Sequence, residues 1–365
     1  MGRPRVLVVD DSVVARHLVS TALATNGSVE VVGAAADGRA ALADIERLRP
    51  EVVTLDVDMP VMDGLETLEA IRERWPHLVV IMFSTYTARG AQVTLDALAL
   101  GANDYVVKPS GAASPTEAMD RIREELLPRI LTLCPDMPAD GTTRPTVVSG
   151  RVSPTLGPAA RIDVIAVGVS TGGPTALGTL LPQLPSHLPV PVLIVQHMPP
   201  MFTRVLAERL DRTSSVHVVE AADGHVLDGG GAWIAPGDRH MTVERIGSQV
   251  RIRTDVGPRE NSCRPSVDPL FRTVAEAYGA HALGVVMTGM GSDGMRGARR
   301  LHDSGARVIV QDEASSVVWG MPGFVVQSGI ADAIVPLEGL AAEIERRLEF
   351  GRATAPLPRP VGVGP

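Results

Sequence analysis

The chain has 365 residues, enough for two ordinary domains, and its 45% hydrophobic and 21% charged residues fit a globular protein. A net charge of −8 excludes a general nucleic-acid binder, and two cysteines, Cys134 and Cys263, exclude a disulfide scaffold or a cysteine-rich zinc site. No apolar run is long enough to cross a membrane and no signal-like stretch precedes the first strand pattern, so a cytoplasmic protein with no direct membrane insertion is expected.

Apolar runs at 6–9, 29–34, 52–55, 79–83 and 105–107 alternate with helical patterns near 12–25, 38–48, 64–74, 89–100 and 115–127. Five strands alternating with five helices predict a doubly wound parallel sheet, whose ligands bind at the carboxyl ends of its strands. Asp10 and Asp11 follow the first run, Asp56 the third, Ser84 the fourth and Lys108 the fifth. Any one of these aspartates would serve as a helix cap. Three carboxylates gathered on one edge repel each other and suit Mg²⁺, a hard cation that takes oxygen ligands. Lys108 would then neutralise a bound phosphate, with Ser84 donating a hydrogen bond to the same group.

Six prolines fall between 128 and 158, among glycine, serine and threonine, which reads as a semi-rigid linker. The expected division is a first domain over 1–125, a linker over 126–160, a second domain over 161–350 and a frayed tail over 351–365. In the second domain apolar runs return at 164–167, 190–195, 233–234, 282–287 and 308–310. The stretch 231–253 reads as a small antiparallel hairpin insertion.

The run at 164–167 leads into Gly168-Val169-Ser170-Thr171-Gly172-Gly173, a Gly-x-Ser-x-Gly turn between a strand and a helix. Such a turn exposes a serine hydroxyl for acyl transfer, and it also suits a tight connection or a phosphate loop. A serine nucleophile needs a base and the base an orienting group. Of nine histidines, His197 ends a buried-strand pattern on the edge where Ser170 sits, and His240 is its rival. His77, His187, His217 and His302 lie in polar contexts and read as solvated. Asp293 follows the run 282–287 in a glycine-rich turn whose backbone N–H groups could face an oxyanion. That turn, 289–294, also spells G-x-G-x-x-G, with Asp312 and Glu313 at about the ~20-residue fingerprint distance, so a dinucleotide-binding oxidoreductase domain is the alternative. A carboxylate at 293 would oppose a pyrophosphate, which weighs against it. Cys263, beside Arg264-Pro265, reads as a bystander thiol near the site.

Residues 1 to about 125 resemble response-regulator receiver domains through Val8-Val9-Asp10-Asp11-Ser12, the segment Leu55 to Gly64, and Lys108-Pro109. The resemblance implies a flavodoxin-like fold. It also implies phosphorylation of Asp56 by a chemotaxis histidine kinase, Mg²⁺ held by Asp10, Asp11 and Asp56, and a phosphate switch through Ser84, Lys108 and Tyr105. About 1 to 348 resembles the chemotaxis protein-glutamate methylesterase/glutamine deamidase family, CheB. That likeness rests on Gly168 to Pro174, Gln196-His197-Met198, Ala235 to Met241, Arg264 to Phe271 and Thr288 to Gly294. It implies a catalytic triad of Ser170, His197 and Asp293, an oxyanion donor at the Met290 N–H and a supporting hydroxyl at Thr171. The hydrolase itself would need no cofactor. The implied substrates are γ-methyl esters, and also glutamines, on the cytoplasmic helices of chemoreceptors, in chemotaxis adaptation. Phosphorylation would activate the enzyme by loosening a receiver held over the cleft.

Overall fold

In a computed structural model, the structure describes residues 2–25, 27–109, 111, 113–134 and 160–353, with side chains to residue 349. The greater part of the expected linker, 135–159, and of the expected tail, 354–365, lies outside the described residues. The chain divides into two compact units.

The first unit holds β1 (Arg5–Val9), α1 (Val13–Ala24), β2 (Glu30–Ala35), α2 (Gly38–Leu48), β3 (Val52–Asp56), α3 (Gly64–Arg74), β4 (Val79–Ser84), α4 (Ala88–Ala99), β5 (Asp104–Val107) and α5 (Pro115–Leu133). All five strands pair in parallel in the order β2-β1-β3-β4-β5, the flavodoxin-like doubly wound topology. Side-chain caps start each helix: Ser12, Asp37, Asp63, Thr87 and Ser114 each accept a bond from an N–H of the first turn. One core packs α1 and α5 on the sheet through Val8, Leu23, Ile81, Ile122, Leu126 and Ile130.

The helix expected near 115–127 continues to Leu133 and takes in Pro128, so residues 126–133 are helical rather than linker. A proline inside a helix removes one backbone bond. Here the buried Leu126, Leu127 and Ile130 carry the helix past it, because their burial outweighs the lost bond.

The second unit holds β6 (Val164–Val169), α6 (Gly173–Leu180), β7 (Pro191–Gln196), α7 (Phe202–Thr213), β8 (Val218–Glu220), β9 (Gly231–Ile234), β10 (His240–Ile246), β11 (Gln249–Asp255), α8 (Val267–Tyr278), β12 (Ala282–Val286), α9 (Met295–Asp303), β13 (Arg307–Gln311), α10 (Met321–Gln327), β14 (Ala333–Val335) and α11 (Leu340–Ala353). Seven strands form a sheet in the order β14-β13-β12-β6-β7-β9-β8, every pair parallel. The chain builds outward from β6 through β7, then crosses back to β12. The strand order therefore reverses between β6 and β12, where doubly wound sheets place their ligands.

Only β10 and β11 form the antiparallel hairpin. β9, expected within the hairpin stretch, pairs in parallel with β7 and β8, because its buried Ala232 and Ile234 extend the main sheet's apolar layer. The core of this unit gathers Val164, Leu193, Val267, Phe271, Val286, Val308 and Met321. A Cβ on Gly168 would stand 2.5 Å from the Val267 side chain, so glycine there lets the first turn of α8 lie against β6. That close approach brings the start of α8 to the strand ends. No described helix is long and apolar enough to cross a membrane.

Candidate active site

Ser170 follows β6 and His197 follows β7, adjacent strands in register at Val169 and Gln196. Asp293 sits in the turn between β12 and α9, on the other side of the order reversal. The Ser170 N–H donates to the Thr288 carbonyl at 3.0 Å, which ties the serine turn to the end of β12. The buried Gln196 donates its Nε2 to the carbonyls of Ser170 at 3.0 Å and His197 at 3.3 Å, holding the two turns together. A Cβ on Gly289 would stand 2.8 Å from Ser170 Cβ, so the turn carrying Met290 closes on the serine only with glycine there. Thr171 is the next residue of the serine turn, in front of Gly172 at φ 77°, a backbone that suits glycine.

His197 Nε2 lies 2.7 Å from Asp293 Oδ2. The same oxygen accepts from the Val267 N–H at 2.7 Å. Asp293 Oδ1 accepts from Ser266 Oγ at 2.7 Å, Asn261 Nδ2 at 2.7 Å, the Gly294 N–H at 2.9 Å and the Asp268 N–H at 3.3 Å. Val267 and Asp268 open α8, so this carboxylate rests on a helix N-terminus, where negative charge is favoured. Burial alone would raise the Asp293 pKa, but His197 and these donors hold it down at about 2. For His197 burial favours the neutral ring. Its bond to Asp293 and the neighbouring Cys263 outweigh that and push it up to about 10.

His240 does not share this environment. Its Nε2 donates to the Pro258 carbonyl at 2.9 Å and its Nδ1 accepts from the Ser266 N–H at 3.2 Å, so both ring nitrogens serve the local fold. Nor does 289–294 act as a dinucleotide loop. Its Asp293 carboxylate takes the N–H groups of Val267, Asp268 and Gly294, the donors a pyrophosphate would need. Asp312 caps its own turn, accepting from the Ser315 N–H at 3.0 Å.

Cys263 lies near the site, as expected, and within reach of the histidine. Its Sγ lies 3.6 Å from His197 Nδ1, the nitrogen that Asp293 leaves over, while the Ser170 hydroxyl makes no hydrogen bond among the described residues. A thiol loosely held at this nitrogen must yield it to a serine hydroxyl when the ring acts as a base. Because the sulfur favours the imidazolium, removing it favours the neutral ring. Cys263→Ala is therefore expected to move the acid limb of the kcat/KM pH profile to lower pH, by about one unit. A pH–rate profile of the variant checks this; an unmoved or raised limb contradicts it.

In the first unit, Asp10, Asp11 and Asp56 offer oxygens that all lie within 4.8 Å of one another. Lys108 Nζ reaches Asp10 Oδ2 at 2.7 Å and Asp56 Oδ1 at 2.8 Å. Burial pushes the Asp56 carboxyl up to about 6 against the pull of Lys108. Ser84 ends β4, but its buried hydroxyl donates to the Gly90 carbonyl at 3.2 Å, within the start of α4. Tyr105 lies on β5, opposite Met82 of β4.

Two family models match the chain: "CheB methylesterase" over residues 165–344 and "Response regulator receiver domain" over residues 6–120. A protein-glutamate methylesterase/protein-glutamine glutaminase of Trichodesmium erythraeum is 49% identical over 351 residues, covering 95% of this chain and all of that one. One from a Nocardioides species is 49% identical over 349 residues, covering 94% of this chain and 95% of its own. The crystal structure of the Thermotoga maritima CheB methylesterase catalytic domain is 39% identical and superposes with a TM-score of 0.50, covering 52% of this chain and 100% of that one.

Proposed function

The chain belongs to the CheB methylesterase family and carries a response regulator receiver domain, and from that premise we propose that Ser170, His197 and Asp293 hydrolyse glutamate γ-methyl esters on chemoreceptors. The observation that carries the reading is the 2.7 Å contact of His197 Nε2 with Asp293 Oδ2 one strand from Ser170. Asp293 fixes the proton on Nε2, so Nδ1 faces outward as the base. Ser170 Oγ attacks the ester carbonyl and passes its proton to Nδ1. The imidazolium, held by the Asp293 charge, returns that proton to the departing methoxide, and methanol leaves. Water repeats the cycle on the acyl-serine and frees the glutamate. The Met290 N–H receives the oxyanion and Thr171 supports the serine turn. With a glutamine side chain the leaving group is ammonia. None of these steps calls on a cofactor in the hydrolase.

Phosphorylation of Asp56 controls the rate. Three acidic side chains with oxygens within 4.8 Å and a charge at Asp56 disfavoured by burial fit a divalent cation, so Asp10, Asp11 and Asp56 would hold Mg²⁺. When bound, it offsets the negative charge that gathers as the phosphoryl group arrives. Lys108 bridges Asp10 and Asp56 and neutralises the phosphate; Ser84 and Tyr105 relay the change. For the Ser84 role, its hydroxyl must leave the Gly90 carbonyl and turn to the phosphate. The partners are methylated receptor helices and a chemotaxis histidine kinase, in the cytoplasm, with no nucleic acid and no membrane insertion. The receiver spans 1–125 with α5 carried on to Leu133, the linker reaches 160, and the hydrolase spans 161–350 with α11 carried on to Ala353, which takes in the first three residues of the expected tail over 351–365.

A methanol-release assay on methylated receptor, with and without a small phosphodonor, tests the proposal. Wild-type protein is expected to release methanol, and the phosphodonor to raise the rate by about 5- to 150-fold, the usual range of coupling between two sites. Asp56→Asn is expected to keep the basal rate and lose the rise. No methanol from phosphorylated wild-type protein would overturn the esterase reading; an undiminished rise in Asp56→Asn would overturn the phosphorylation site.

A further inference from the structure

Asp293 does not stand alone. Asp268, in the first turn of α8, is a second buried carboxylate; burial pushes its pKa up, the Gly297 N–H and Asn261 pull it down, and the charge of Asp293 adds to the rise. Two buried anions this close repel each other unless something lies between them. Asn261 fills that place. Its single Nδ2 group donates one proton to Asp268 Oδ2 at 3.0 Å and the other to Asp293 Oδ1 at 2.7 Å.

The turn that delivers this amide is closed on itself and pinned to α8. Glu260 and Cys263 exchange backbone bonds at 3.1 and 2.9 Å. Arg272 of α8 grips Glu260 with two bonds at 2.8 Å. Asn261 and Ser262 sit at φ 51° and 64°, left-handed backbone that asparagine adopts more readily than most residues. Strain of this kind persists only where surroundings over-determine it.

We propose that Asn261 is a positioning residue of the hydrolase: its carboxamide bridges Asp268 and Asp293 and aims the Asp293 carboxylate at His197. It touches neither serine nor ester and acts only through Asp293, so the inference rests on the triad reading. Ser266 and three backbone N–H groups hold Asp293 from α8 and the α9 turn, and Asn261 is the donor on the side of the 260–263 turn. Without it, Asp293 keeps Ser266 and the backbone donors and Asp268 keeps the Gly297 N–H, but the donor shared between the two carboxylates is lost, and their repulsion shifts the Asp293 carboxylate relative to His197 Nε2.

Two substitutions in the full chain, assayed by methanol release with phosphodonor, test this. Asn261→Gly keeps the left-handed backbone and deletes the amide. It is expected to lower kcat by about 10- to 100-fold, the cost of a small misplacement of a catalytic group, with KM near wild type and a lower thermal midpoint, since two buried carboxylates lose a donor. Asn261→Asp keeps shape and backbone preference and adds a third carboxylate. The charged and titratable groups around the pair are Asp268 and Arg272 on α8, Glu260 and Cys263 on the turn, and His240 on β10 facing Glu260. An added anion among them favours the His197 cation, so the acid limb of the kcat pH profile is expected to rise by about one unit. A residue that merely held the loop would also lower the thermal midpoint but leave the limb in place.

The proposal stands only if the kcat loss and the limb shift both appear; either one missing overturns it. Ser170→Ala and Asp293→Asn run in the same assay keep the two readings apart. If those variants retain wild-type turnover, the triad itself has failed. If they are inactive while the Asn261 variants behave as wild type, only this inference has failed.

Discussion

Ser170→Ala is expected to abolish methanol release, with kcat falling by about 10⁵- to 10⁶-fold and receptor binding unchanged. Removing the nucleophile of such a triad costs nearly as much as removing all three members, because the remaining two have nothing to activate. What survives is the contribution of oxyanion contacts and binding. The substitution deletes one oxygen that makes no hydrogen bond among the described residues, and the Ser170 N–H keeps its bond to the Thr288 carbonyl. The thermal midpoint should therefore stay at the wild-type value. Single-turnover methanol release and a melting curve on the same preparation check both halves. A variant within tenfold of wild type would remove Ser170 from the mechanism.

Asp293→Asn should cost about 10⁴-fold in kcat, by a different route. The Oδ1 position faces four donors, from Ser266, Asn261, Gly294 and Asp268, so the asparagine carbonyl must take that place. Its NH₂ group then occupies the Oδ2 position and donates to His197 Nε2. The ring answers by carrying its proton on Nδ1, and a protonated Nδ1 cannot accept the serine proton. Because the substitution also leaves the buried Val267 N–H facing a donor, a stability loss of about 1–3 kcal/mol accompanies it. The expected signature is a large loss of kcat with little change in KM, together with a lower thermal midpoint. A fall in KM-controlled binding alone, with kcat intact, would mean that Asp293 serves the fold rather than the base.

Much of this architecture is legible in the sequence, for a physical reason. Buried parallel strands are short apolar runs, and the polar residue that ends each run is forced onto one edge. Asp10, Asp56 and Lys108 in the first unit, and Ser170 and His197 in the second, are readable that way, while Asp293 is read from the glycine-rich turn that follows its run. Features without a period are not. β8 and β14 have three residues each, too few for a pattern to register. Pro128 signals a stop that the packing of Ile130 overrides. The strand at Gly231–Ile234 reads like its hairpin neighbours until the sheet claims it.

Around the Asp293 carboxylate the sequence is quieter still. Asn261 and Ser266 lie in an irregular loop, and nothing in their spacing says that both donate to Asp293. Asp268 reads as an ordinary first-turn helix acid. Cys263 reads as a bystander because the turn that aims it at His197 depends on two left-handed residues, Asn261 and Ser262. The one available hint is the Ser266-Val267-Asp268 start of a helix. A cap serine there would normally bond its own helix, and here it bonds Asp293 instead.

Ser170 is the proposed group that His197 and Asp293 activate, although Cys263 is the side chain resting against His197 Nδ1. Treating the full-length protein with a fluorophosphonate, a reagent that captures activated serines, and mapping the adduct by peptide mass spectrometry decides this directly. A single adduct on the peptide carrying Ser170, formed much more slowly in Asp293→Asn, is the predicted result. An adduct on the Cys263 peptide, or an unlabelled Ser170 in protein that still releases methanol, would contradict it.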